Sequence, residues 1–260
     1  MVEIAHLNGI ALHYRFRQGH GRPIVFLNSL GTDFRIWDDV IQTLDANIPV
    51  VCVDKRGHGL TDDGPIIMDV LINDVVALLD DLGVSGALIC GVSVGGMIAQ
   101  GLAASRPDLV SGLVLCCTGA KIGDAQSWAL RIDAIEKDGI ASLSDAILER
   151  WFSPDFMQSR QTDLAAYRNM LIRTSVAGYT GVCAAIAETD FTEQCKHIMI
   201  PALCIAGADD HATPPALVHE LAKNIAGASF QIIERCGHLP CIEQPDMLGH
   251  AIKHMYRSIP

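Results

Sequence analysis

Three residues of the kinds that build and activate a nucleophile follow one another along this 260-residue chain: Ser93, Asp210 and His238. Ser93 sits in Gly91-Val92-Ser93-Val94-Gly95, a G-x-S-x-G pentapeptide inside the longer run "ALICGVSVGGMIAQGLA". An apolar, β-rich stretch precedes it and a small-residue helical pattern follows. In that context the motif is a sharp strand-to-helix turn that lifts the serine hydroxyl above a sheet edge, and its neighbours must be small. Gly91, Gly95 and Gly96 meet that need. The next helix begins at the serine, and its dipole favours negative charge there.

A serine is inert without a base. The same motif calls for an acid and then a histidine downstream, in that order. "CIAGADDHATPP" places Asp209 and Asp210 after a strand, and "IIERCGHLPCIEQP" places His238 in a Gly-His turn after another. Asp210 is the better acid, three residues beyond Gly207 and four before Pro214; Asp209 reads as a loop or solvent residue. His238 would take the serine proton, and the carboxylate would fix its tautomer and steady the imidazolium. His211 reads as structural. His6, His13, His20, His219, His250 and His254 read as solvated or near the termini. A developing oxyanion needs two donors. They are expected from the backbone N–H of Val94, after the nucleophile, and that of Leu30, in the loop "NSLG" after an early strand.

These residues need a scaffold that brings distant loops to one edge. The runs "IALHYRF", "PIVFLNS", "VVCVDKR", "ALICGVS", "GLVLCCT", "ALCIAG" and "FQIIERC" alternate with helix-length segments, such as "DVLINDVVALLDDL" ended by Gly83. Near-continuous apolar strands alternating with helices predict a mostly parallel sheet covered on both faces, with an antiparallel hairpin at its start. The rhythm breaks after Cys117. From about Lys121 to Lys196 only short helical patterns occur, which predicts a helical cap over the sheet's C-terminal edge, where ligands bind in open α/β folds. The expected division is a core of residues 1–120 and 196–260 with a cap of 121–195. "DKRGHGLTDD" reads as loop scaffolding, with Arg56 bonding nearby carbonyls and His58 a weaker candidate for a chemical role.

Composition narrows the partners. The net charge is −11 with no Lys/Arg-rich run, which disfavours nucleic acid and anionic membrane surfaces. No apolar run reaches the length of about 18 residues that a membrane helix needs. The opening "MVEIAHLNGIALHY" has no basic-then-apolar leader, so a soluble cytoplasmic protein is expected. The nine cysteines are scattered without a C-x-x-C pair and read as reduced, buried packing residues. No metal-ligand spacing and no phosphate- or dinucleotide-binding glycine pattern is present, so neither metal nor cofactor is expected.

Over essentially its whole length the chain resembles the α/β-hydrolase family. A narrower likeness, in "LNSLGTDFRIWD", "TGAKIGDAQSWALRI", "ILERWFSPDF", "YRNMLIRTSVAGY" and "HATPPAL", is to 3-oxoadipate enol-lactonases. The resemblance implies an α/β-hydrolase fold of eight mostly parallel strands with a helical cap. It also implies hydrolysis of a small anionic lactone to 3-oxoadipate in the catabolism of protocatechuate or catechol. The substrate's free carboxylate then requires a cation in an acidic protein. Arg131 is the candidate, three residues after Trp128 on a helix so that ring and guanidinium share a face. A solvated surface arginine is its alternative reading. Trp128 and Trp151 are candidates for the substrate wall, or equally for cap packing. Thr61 departs from the family, which often has serine there. Other small-molecule esterases, perhydrolases and C–C hydrolases keep the same triad, and a slow-turnover lactone receptor can be built on the same scaffold. Oligomeric state is not legible.

Overall fold

The computed structural model describes residues 3–259. Eight strands form one sheet: β1 (Glu3–Leu7), β2 (Ile10–Arg17), β3 (Ile24–Leu27), β4 (Val50–Val53), β5 (Ala87–Val92), β6 (Val110–Cys116), β7 (Ala202–Gly207) and β8 (Ser229–Ile233). Their spatial order is β1-β2-β4-β3-β5-β6-β7-β8. The opening hairpin is antiparallel, β2 meets β4 antiparallel, and every pairing from β4 to β8 is parallel. Strands β3, β4, β5 and β7 are buried at every residue. That pattern needs cover on both faces, as the apolar runs predict.

The helices α1 (Asp38–Thr43), α2 (Met68–Asp81) and α3 (Val94–Ser105) belong to the first half of the core. Between β6 and β7 run α4 (Ala125–Asp138), α5 (Ser144–Trp151), α6 (Pro154–Ser159), α7 (Gln161–Ile172), α8 (Val176–Ala187) and α9 (Thr192–Cys195). Then come α10 (Pro215–Asn224), α11 (Pro240–Glu243) and α12 (Pro245–Ser258). Helix α3 covers β3, β5 and β6 and carries α2, while α12 packs on β6 and carries α1. The break in rhythm after Cys117 is thus a stretch of short helices, with residues 121 and 195 in the loop before α4 and at the end of α9. Among the described residues no single helix is long and apolar enough to cross a membrane.

Since β3 to β8 all run the same way, the loops after β3, β4, β5, β7 and β8 emerge at one edge of the sheet. Those loops carry Leu30, Lys55, Ser93, Asp210 and His238. The glycine-rich loop after β4 meets the inserted helices closely: a Cβ on Gly57 would lie 2.3 Å from Gly178 Cα at the start of α8.

Candidate active site

Ser93 stands between β5 and α3 with φ 59° and ψ −123°, a conformation L-residues avoid, which costs on the order of 1–3 kcal/mol. The surroundings enforce it. Its N–H donates to Cys116 O at 3.0 Å, while its carbonyl accepts from Gly96 N at 2.9 Å and Met97 N at 3.2 Å. The glycines are required by contact. A Cβ on Gly91 would meet Gly95 O at 2.3 Å, and one on Gly95 would meet Leu27 O at 2.2 Å.

Asp210 and His238 are both buried, and His238 Nδ1 lies 2.9 Å from Asp210 Oδ2. Asp210 is saturated with donors: Ala212 N at 2.7 Å and Thr213 N at 3.0 Å on Oδ1, and Thr213 Oγ1 at 2.7 Å on Oδ2. Burial pushes this carboxyl up, but the His238 charge and the His238 and Thr213 hydrogen bonds outweigh it and hold it below the ordinary value. With Nδ1 engaged, Nε2 is the nitrogen left to exchange a proton. Thr213 Oγ1 also lies 3.1 Å from His238 Nδ1, so one hydroxyl touches both partners. Asp209 is partly exposed, as a loop residue would be, and His211 is exposed.

The loop bearing His238 is anchored to the inserted helices. His238 N donates to Trp151 O at 2.7 Å. Glu243 accepts from Gly237 N at 2.7 Å with one oxygen, and from Ser153 Oγ at 2.5 Å and Ser153 N at 3.1 Å with the other.

The loop Asn28–Thr32 is held from beneath. Buried Lys55 donates from Nζ to Ser29 O at 2.6 Å and Thr32 O at 3.4 Å. Asn28 Nδ2 also donates to Thr32 O. Gly31 N donates to His58 Nε2 at 3.0 Å, and His58 Nδ1 donates in turn to Arg56 O at 2.9 Å. Burial, then the Lys55 charge, push the His58 imidazolium well below its ordinary value, so the ring is neutral and scaffolds the loop. Arg56 bonds less to carbonyls than expected: its main partner is the buried carboxylate of Asp74, at 2.6 and 3.0 Å. His13 is not solvated either, because Nδ1 lies 2.7 Å from buried Asp54. Among the described residues, the N–H groups of Leu30 and Val94 have no acceptor within the chain.

Ser93, Leu30, Thr213 and His238 line one cavity of about 180 Å³, together with Trp128, Arg131, Arg150, Trp151 and Tyr179. The Ser29 hydroxyl, on the same wall, is buried without a hydrogen-bond partner. Arg131 Cζ sits 5.1 Å from the Trp128 ring centroid, the shared face that their spacing implies. Trp128 Nε1 donates to Ile122 O at 2.7 Å, which fixes the ring. Trp151 is buried, so it packs and lines the wall at once. Arg150, exposed at the rim, is a second cation on this wall, beside the Arg131 that the sequence favours. Burial and then the nearby Arg131 charge lower its guanidinium below the ordinary value. Among the described residues neither arginine has a carboxylate at ion-pair distance. A larger groove of about 900 Å³, between the β2 and β4 loops and α7, contains none of Ser93, Asp210 or His238.

All nine cysteines are buried and free. Cys236 and Cys241, near the His238 turn, are closed to solvent, and burial raises both thiols. Cys117 Sγ approaches Asp210 and His238 within 4.8 Å. Burial raises that thiol well above its ordinary value and it points to Gly237 O, so it packs beneath the pair as a thiol.

Residues 24–249 match the family described as "Alpha/beta hydrolase family". The chain is 35% identical over 247 residues to 3-oxoadipate enol-lactonase 2 of Acinetobacter baylyi, covering 94% of this chain and 92% of that protein. It is 32% identical to 3-oxoadipate enol-lactonase 1 of the same organism, covering 99% and 97%. The crystal structure of the enol-lactonase from Burkholderia xenovorans LB400 superposes with a TM-score of 0.94 at 35% identity, covering 98% of this chain and all of that one.

Proposed function

This chain belongs to the alpha/beta hydrolase family, and on that premise we propose that it is a serine hydrolase opening 3-oxoadipate enol-lactone to 3-oxoadipate. The observation that carries the reading is convergence on one cavity. A strained serine, a histidine bonded to a buried carboxylate, the residue bearing the unsatisfied Leu30 N–H and two arginines without carboxylate partners line the same 180 Å³, and the unsatisfied Val94 N–H follows the serine directly. Neutral ester hydrolysis has no use for two such cations. A lactone carrying a free carboxylate does.

Ser93 Oγ attacks the lactone carbonyl carbon while His238 Nε2 takes its proton. Leu30 N–H and Val94 N–H receive the oxyanion. Collapse breaks the ring C–O bond and expels an enolate, which takes the proton from His238 and tautomerises to the ketone. Water, deprotonated by His238, then attacks the acyl carbon, and Ser93 leaves with the proton restored. The net change is addition of one water across the ester bond. Asp210 stays ionised and holds the imidazolium. Arg131, stiffened by Trp128, and Arg150 at the rim hold the free carboxylate, with Trp151 as apolar wall. The role is in aromatic-compound catabolism, in the cytoplasm, with a small anionic substrate and without nucleic-acid or membrane partners.

The test is steady-state hydrolysis of 3-oxoadipate enol-lactone followed by ultraviolet absorbance, beside p-nitrophenyl acetate, for wild type and Ser93→Ala. Lactone turnover that far exceeds the ester rate and vanishes in Ser93→Ala supports the assignment. Ester turnover alone discards the lactone, and turnover of neither discards the hydrolase.

A further inference from the structure

Each N–H assigned to the oxyanion belongs to a peptide unit whose carbonyl points the other way, because the peptide is planar and trans. The Val94 N–H shares its peptide with Ser93 C=O. That oxygen accepts from Thr118 Oγ1 at 2.7 Å and from two amides of the first turn of α3. The Leu30 N–H shares its peptide with Ser29 C=O, which accepts from Lys55 Nζ at 2.6 Å, Thr32 Oγ1 at 2.9 Å and Thr32 N at 3.3 Å. Both peptides are thus gripped at the carbonyl end, while their N–H ends have no acceptor among the described residues and Leu30 and Ser93 line the cavity. Donors on a carbonyl polarise the whole amide and strengthen the hydrogen bond its N–H can give.

The two are not equivalent. The Ser93 peptide is fixed by a helix start. The Ser29 peptide lies in a loop, and its strongest anchor is an amine buried to 7% exposure. An amine in the core is costly without strong partners, and an apolar residue of similar length would fold more easily. Among the described residues Lys55 has no carboxylate at ion-pair distance, and its hydrogen bonds go to two carbonyls of this one loop. Its shorter and stronger bond is the one that orients and polarises Ser29–Leu30.

We infer that Lys55 is a positioning residue for the reaction, acting through the Ser29–Leu30 peptide to aim and strengthen the Leu30 N–H at the oxyanion. The inference rests on the serine-hydrolase reading above. Removing an oxyanion donor outright lowers kcat by about 10²–10³-fold. Lys55→Met leaves the donor but frees its peptide, so kcat should fall by about tenfold or more, with KM little changed. A small alkyl boronic acid that forms a tetrahedral adduct on Ser93 should lose affinity by a similar factor. Affinity for adipate, a ground-state dicarboxylate, should stay within twofold. A mere loop staple would instead disturb KM and adipate binding together with kcat.

The experiment measures these four quantities for wild type, Lys55→Met and Ser93→Ala, with melting temperature as the folding control. Folded Lys55→Met that keeps kcat and boronate affinity within twofold of wild type overturns the inference. So does a loss shared equally by kcat, KM and adipate affinity. Should Lys55→Met fail to fold, ¹⁵N-lysine-labelled wild type supplies the test: the Lys55 Nζ resonance must move when the boronate binds, and an unmoved signal overturns the inference. A wild type that neither turns over ester or lactone nor binds the boronate would sink the hydrolase reading itself, a different outcome.

Discussion

Lys55 makes a stability prediction that is independent of catalysis. Burial lowers its ammonium from the ordinary 10.5 to about 7, against the opposing pull of Asp54 and then Asp33. His58, also close to Lys55 and pushed well below its ordinary value, is neutral throughout this range. Between those two values the unfolded chain binds the proton and the folded chain does not. Stability is therefore lowest below the folded value and rises as pH climbs toward the unfolded one. At about 1.4 kcal/mol per pKa unit, the charged amine costs the fold on the order of 5 kcal/mol near and below pH 7. Roughly 2 kcal/mol of that should return between pH 7 and pH 9. Lys55→Met has no such titration. Urea unfolding of both proteins at pH 6, 7, 8 and 9, under reducing conditions, gives the difference in stability at each pH. Buried thiols destabilise both proteins alike as pH rises past their unfolded value of about 8.5, so they cancel in the difference. Wild type should gain about 2 kcal/mol on the variant from pH 7 to pH 9. A difference that stays flat across that interval refutes the reasoning.

Arg131→Ala and Arg150→Ala should each raise KM for the lactone about tenfold or more, as expected for loss of a charge-assisted bond, and leave p-nitrophenyl acetate unaffected; equal losses on both substrates would remove the carboxylate role. Thr213→Val takes a hydroxyl from the ionised Asp210 and should cost about 1.5–3 kcal/mol in urea unfolding at neutral pH, with a fall in kcat; unchanged stability would mean the bond carries no weight. Gly95→Ala drives a Cβ against Leu27 O and should destabilise by about 3 kcal/mol or more. A variant with wild-type melting would show that the elbow relaxes freely.

Much of the architecture is written in local pattern. The apolar runs mark the strands, and Gly91, Gly95 and Gly96 mark the elbow, because backbone contact there excludes any side chain. The turn after β7 buries Asp210 and leaves Asp209 partly exposed. What escaped notice depends on pairings with no sequence period. Lys55 reaches Ser29 across 26 positions, His58 meets Gly31 across 27, and Glu243 holds Ser153 across 90. His13 looked solvated because nothing near it in sequence announces Asp54. Thr213 was recoverable: an acid followed three residues later by threonine is a local turn signature. Arg150 stands out only in the fold, which sets it on the same cavity wall as Arg131.

The bond between His238 N–H and Trp151 O separates two duties at one residue. The histidine loop needs only a carbonyl at position 151, and every amino acid supplies one. The indole at the same position lines the cavity that holds Ser93. Selection can therefore exchange the side chain at 151 to suit differently shaped acyl groups while the proton-transfer geometry stays as it is. A family built this way can diversify its substrates one wall residue at a time, and a designer can vary that residue along with Trp128 without re-engineering the base.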